Sequence, residues 1–308
     1  MKKSGNTPCG IAIPQDLIFK LGGMEPIRRF VQRADVLNYD SLWVMEGIIS
    51  LAPNLEPVSI LSYVAALTQK VRLGVAVIVL THRNPVQLAK ALTSLDQLSN
   101  GRLDVGIGIG RLVPEEVFGY SAERRVTRFE EALQVMKVLW TEQPASHSGV
   151  FWDFDDVSMK PRPVQQPHPP IWFGGRVPAA LKRAARLGDG FIGAGSSSFE
   201  EFKTHYGLLQ QFLEEQGRDP ETFGISKRVY VAIDDDRGRA EARLREWFGY
   251  YYGKAEMAPR VAIWGSRDEC LDKLGEYVQA GAKHLLLNPV LDEMDHLEIL
   301  AEEVVPYL

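Results

Sequence analysis

At 308 residues the chain is long enough for one large α/β domain or two small ones. Its charge is close to balance, 35 Lys and Arg against 40 Asp and Glu, which argues against a non-specific nucleic-acid binder. The only cysteines, Cys9 and Cys270, exclude a disulfide scaffold and a cysteine-built zinc site, and they fit a reducing compartment. The opening "MKKSGNTPCGIAIPQD" has a short apolar segment broken by Pro14, which reads as neither signal peptide nor membrane anchor. The cytoplasm is therefore the expected compartment, with no membrane partner.

The first predicted element is a strand over 9–14, followed by an amphipathic helix over 25–38 with Ile27, Phe30, Val31 and Ala34 on one stripe. A strand over 41–46 precedes a helix over 56–69, and a strand over 71–80 precedes a helix over 84–99. Both of these helices carry proline in the first turn, where its missing N–H costs nothing. Next come a strand over 102–110, a helix over 123–140, and a connection over 141–170 rich in proline and aromatics. Strands over 170–175 and 189–195 alternate with helices over 178–188 and 198–217. Last come a strand over 226–233, a helix over 239–253, a linker "KAEMAPRVAIWG", a helix over 267–281, a strand over 284–290 and a helix over 296–308. Eight strands alternating with helices predict an α/β fold, a closed (β/α)8 TIM-type barrel with insertions after the fourth and seventh strands. Without an internal repeat or low-complexity tract, residues 1–308 read as a single domain.

A barrel keeps its chemistry at the C-terminal ends of its strands. A metal hydrolase would need several His or carboxylate ligands there, and only Glu46 and His82 qualify, so no metal site is expected. Lys227, the only lysine in a predicted strand, lies at its start and far from the mouth, which disfavours a Schiff-base aldolase. What stands out is glycine. In "GRLDVGIGIGR", period two puts Gly106, Gly108 and Gly110 on one face. That face is either room for a flat ligand against bare backbone or interior layering of small residues against large ones. Gly174, Gly175, Gly195 and Ser196, in "IWFGGR" and "GFIGAGSSS", offer N–H groups that could converge on an anion. Ser198 with Glu201 reads as a helix cap. Arg111 and Arg128 could add charge at the anion, with a solvated ion pair as the alternative for Arg128.

The stretches "RADVLNYDSLWVME", "ALTQKVRLGVAVIVLTHRNPVQLAKALTSLDQLSNGRLDVGIGIG", "RRVTRFEEALQVMKVLW", "KPRPVQQPHPPIWFGG" and "AARLGDGFI" occur in an order and spacing that resembles the bacterial luciferase-like flavin-dependent oxidoreductases. That family includes members using the deazaflavin F420. The resemblance implies a TIM-type barrel, usually a homodimer, with a flavin or deazaflavin at the mouth and a small-molecule substrate over it. The ring would lie on the third strand, where a non-prolyl cis peptide would fall near Ala76–Val77. The phosphate would sit near Gly174, Gly175, Ala194, Gly195 and Ser196, and Glu46 matches an acid that ends the second strand. Two departures accompany the match: Gly47 stands where many members have a histidine, and Arg111 where several F420 enzymes have a glutamate. With those positions changed, Glu46 and His82 are the catalytic candidates. The expected cofactor is F420, with FMN as the alternative. Non-catalytic cofactor binding and an unrelated barrel lyase for phosphorylated sugars are the competing readings. The aromatic segment "GVFWDFDD" either walls the entrance or covers the core.

Overall fold

The computed structural model describes residues 7–37, 39–50, 53–110 and 115–308. In chain order its strands are β1 (Cys9–Ala12), β2 (Ser41–Val44), β3 (Arg72–Val79), β4 (Leu103–Gly108), β5 (Ala145–Ser148), β6 (Asp153–Val157), β7 (Ile171–Gly174), β8 (Gly190–Gly193), β9 (Gly224–Ile233), β10 (Ala262–Gly265) and β11 (His284–Pro289). Eight of these close a parallel ring in the order β1-β2-β3-β4-β7-β8-β9-β11, and β11 returns to β1. Each ring strand falls within or overlaps one of the predicted segments.

Helices cover the outside of the ring and bury the apolar face of each pattern. In the helix Glu25–Val36 the stripe Ile27, Phe30, Val31 and Ala34 is buried. Pro57 and Pro85 occupy the first turns of Pro57–Leu67 and Pro85–Leu98, whose free N–H groups are met by the side chains of Glu56 and Asn84. Ser198 and Glu201 form the expected capping box on Phe199–Glu215. Gly188 is the C-cap of the helix Pro178–Leu187. It follows its helix with a negative φ, and a Cβ there would lie 2.6 Å from Phe173 Cδ2, so close packing rather than a left-handed turn requires glycine.

The two insertions contain strands that periodicity does not reveal. β5 and β6 pair as an antiparallel hairpin, but "ASHS" and "DFDDV" lack a β-branched run. Four-residue β10 pairs only with Tyr230–Ile233, the part of β9 that extends beyond β8. Around β10, Tyr230, Leu244, Phe248 and Val261 form a small second core above the mouth. Deeper inside the ring, Ala12, Trp43, Ile192 and Leu286 pack together, with Trp172 against them. These side chains plug the barrel below its C-terminal mouth.

Candidate functional site

The site begins with an irregularity in β3. Its register with β4 shifts between Val75 and Ile78, and the Ala76–Val77 peptide is cis, at the position the family resemblance implies. The irregular segment carries Val77 toward the neighbouring strands. A Cβ on Gly108 would lie 2.8 Å from Val77 Cγ2, and one on Gly174 would lie 2.9 Å from Val77 Cγ1. Gly110 has φ +75°, and its Cβ would meet Val79 Cγ1 at 2.5 Å. A Cβ on Gly106 would stand 2.0 Å from the Val75 carbonyl oxygen, so its glycine is required by strand packing. The glycine row thus first makes room for β3 itself. Only Gly108 and Gly110 also face open space.

That space is a cavity of about 310 Å³. Ala76, Val77, Gly108, Gly110, Gly174, Gly175, Ala194, Gly195 and Ser196 all line it, joined by Arg176, Ile192, Gly193, Arg228 and Tyr252. Arg176, Ser196 and Tyr252 also border an outer vestibule of about 590 Å³ with Lys254, Glu256, Met257 and Arg260. Arg176 Nη2 donates to Ser196 Oγ at 2.7 Å, which places a guanidinium at the junction.

Below the loop Ala194–Ser197 lies Lys227. Fully buried, its Nζ donates to the Ala194 carbonyl (2.6 Å), the Ser197 carbonyl (2.9 Å) and Ser197 Oγ (3.1 Å). Burial pulls its pKa down to about 7, and neighbouring Arg228 adds to that effect. Because a trans peptide sets C=O and N–H in opposite directions, tying down the Ala194 carbonyl turns the Gly195 N–H away from the ammonium. Among the described residues the N–H groups of Gly195 and Ser196 have no acceptor. Two donors without a protein acceptor beside a guanidinium have the chemistry that suits an anion.

The two catalytic candidates lie around the end of β3, and neither lines the cavity. Glu46 is almost wholly buried and accepts from Val79 N at 2.5 Å and Arg83 Nε at 2.9 Å, with Arg83 Nη2 completing an ion pair. Arg83 also meets Glu56 at 3.0 Å. Glu46 therefore anchors β3 just past Val77. The His82 ring stacks on Phe118 at 4.1 Å, and its Nε2 is buried without a hydrogen-bond partner. Burial holds its pKa below the ordinary histidine range.

Arg128 is not among the described residues that line the cavity. It forms a buried ion pair with Glu115, donates to the Ser121 carbonyl and lies over the Tyr120 ring. The pair is buried rather than solvated, and Glu115 also receives Arg125. Arg111 lies outside the described residues. The aromatic insertion covers the core: Glu131 accepts the backbone N–H groups of Val150, Phe151 and Trp152, holding the β5–β6 hairpin to the outer helix layer. The mouth is instead walled by the helix Arg237–Tyr252, through Trp247, Tyr251 and Tyr252. Arg228, Lys227 and Tyr252 were missed as site residues. Period two in "SKRVYVAI" puts Ser226, Arg228 and Tyr230 on one face, and an arginine inside an otherwise apolar row is the signal that could have found Arg228. Among the described residues no group of His, Cys, Asp and Glu is arranged to hold a metal.

The family model for luciferase-like monooxygenases matches residues 20–284. An F420-dependent glucose-6-phosphate dehydrogenase of Kineococcus radiotolerans is 28% identical over an alignment of 314 residues covering 91% of each chain. The oxygenase component of a flavin-dependent trigonelline monooxygenase from Acinetobacter baylyi is 30% identical, covering 72% of this chain and 63% of its own. Among solved structures, an F420-dependent secondary alcohol dehydrogenase in complex with an F420–acetone adduct superposes with a TM-score of 0.84 at 20% identity. The match spans 98% of this chain and 99% of that one, a likeness of fold.

Proposed function

The chain belongs to the luciferase-like monooxygenase family, and on that premise we propose that it is an F420-dependent oxidoreductase acting on a small organic molecule. The observation that carries this reading is the cavity itself. One wall is the Val77 bulge, faced by the bare glycines Gly108 of β4 and Gly174 of β7, and the other end is the donor cradle of Gly195, Ser196 and Arg176. A flat ring with a phosphate-bearing tail has those two requirements. When bound, such a cofactor supplies hydride chemistry. Val77 would meet the ring, the Gly195 and Ser196 N–H groups would hold the phosphate, and Tyr252, held by Tyr230, would border the ligand.

Preference for F420 over FMN rests on the relative that matches along 91% of both chains. The proposal keeps the homodimer that the family resemblance implies. It also keeps the cytoplasmic location, supported by two free, buried cysteines. No helix among the described residues is long and apolar enough to cross a membrane. A second reading, cofactor binding without turnover, is favoured by one observation: the described residues lining the cavity beside Val77 include no histidine or carboxylate.

Parallel fluorescence titrations with F420 and FMN test the proposal. F420 should bind more tightly, and the bound, reduced form should be oxidised by at least one member of a carbonyl and enone panel. Affinity no better than roughly millimolar for both cofactors, about −4 kcal/mol, would remove the reading.

A further inference from the structure

Arg228 is a buried cation with no carboxylate paired to it. It is about nine-tenths buried, its Nε and Nη2 both donate to Asn288 Oδ1, the former at 2.9 Å, and its guanidinium lies 4.8 Å from the centroid of the Tyr230 ring. These partners are neutral. By contrast Arg72 meets Asp104, Arg83 meets Glu46 and Arg128 meets Glu115. Among the described residues no carboxylate pairs with Arg228, and the remaining residues (1–6, 38, 51–52 and 111–114) contain no Asp or Glu side chain. Withdrawing an ion from water costs several kcal/mol unless an opposite charge compensates it.

Its position shows where that charge would come from. β9 stands four strands from β3 around the ring, so Arg228 faces the Val77 bulge across the mouth. It lines the cofactor cavity and also a smaller pocket of about 30 Å³ over β1, β2 and β11. Gln15, Asn54 and Asn288 give that pocket neutral polar groups, and Met45, Trp247 and Tyr251 give it apolar walls. Asp16 and Glu293, which also border it, lie 2.7 Å and 3.6 Å from Lys20 Nζ. The room suits a head group of a few atoms and no ring. A planar guanidinium fork matches a carboxylate in two parallel hydrogen bonds, whereas a phosphate dianion would add repulsion from the two acids on the border.

We infer that Arg228 receives the carboxylate of a small organic-acid substrate, whose remaining carbon skeleton extends toward the Val77 side of the mouth. Calling this acid the substrate rests on the cofactor reading of the cavity beside Val77. The anion site itself does not.

Isothermal titration calorimetry of the full-length protein with butyrate, butyramide and inorganic phosphate tests it. Butyrate should bind at least about tenfold more tightly than its neutral isostere and more tightly than phosphate. Arg228→Gln should abolish the preference and Arg228→Lys should retain part of it, with thermal unfolding curves establishing that both variants fold. Equal binding of butyrate and butyramide would overturn the inference, as would a preference that survives in Arg228→Gln or tighter binding of phosphate. F420 and FMN titrations on the same sample separate the two ideas. Cofactor binding without carboxylate preference sinks the inference alone, and Arg228-dependent butyrate binding with neither cofactor bound sinks the cofactor reading alone.

Discussion

Lys227 shows how one buried side chain can shape a binding loop without touching a ligand. Its three hydrogen bonds all run to the underside of the Ala194–Ser197 loop, leaving the loop's free N–H groups on the other side. The same burial that isolates it depresses its pKa to about 7, against about 10.4 for an unfolded lysine. Between those values the unfolded chain holds a proton that the folded chain has released, so this group's contribution to stability increases as pH rises from about 7 toward 10. Below about 7 both states are protonated and the contribution is flat at its minimum. The difference in unfolding free energy between wild type and Lys227→Met should therefore shift in favour of wild type from pH 6.5 to pH 9. Urea unfolding at the two pH values measures this, and a pH-independent difference would mean that the lysine stays charged in the fold.

Strand β3 carries the site at the scale of elements, and Glu46 reaches across from just past the end of β2 to hold it. The Glu46–Arg83 pair is buried at the carboxylate, and removing one partner of a buried pair is costly. Glu46→Gln should destabilise the protein by about 3 kcal/mol, the low end for such a change because Arg83 retains Glu56. Guanidinium unfolding reads that loss. A variant as stable as wild type but slower in turnover would instead restore Glu46 as a group acting on substrate. The role of Glu46 exemplifies what sequence could and could not disclose. Alternation of strand and helix located all eight ring strands, because each has to bury an apolar row. Turn chemistry located the prolines and Ser198. The nine cavity residues were legible because glycine in a strand needs a local reason, and family spacing supplied the position of Ala76–Val77. Sequence did not disclose that Glu46 and His82 lie outside the cavity lining, because a strand-end position does not say where a side chain points, and partners such as Arg83 and Phe118 settle that. Arg128 was diverted by Glu115, thirteen positions earlier, and nothing in helical periodicity predicts that pair. β5, β6 and β10 escaped because short strands paired to a hairpin partner or to one protruding strand need no apolar alternation.

At the scale of the whole molecule, the insertions after the fourth and seventh ring strands do different work. The β5–β6 hairpin thickens the outer layer, while the helix Arg237–Tyr252 and β10 build a roof of aromatic side chains over the mouth. The barrel thereby places a bare-backbone wall on β3, β4 and β7, a donor cradle after β8 and an arginine on β9 around one opening. The central claim is that this opening seats a flat cofactor on Val77, and Gly108 tests it most directly. A leucine there has to occupy cavity space and displace Val77, so Gly108→Leu should weaken F420 binding at least about a hundredfold. Overpacking should cost only about 1–3 kcal/mol of stability, leaving a cooperative unfolding transition. If fluorescence titration shows F420 bound to the folded Gly108→Leu protein as tightly as to wild type, the ring does not lie there and the account is wrong.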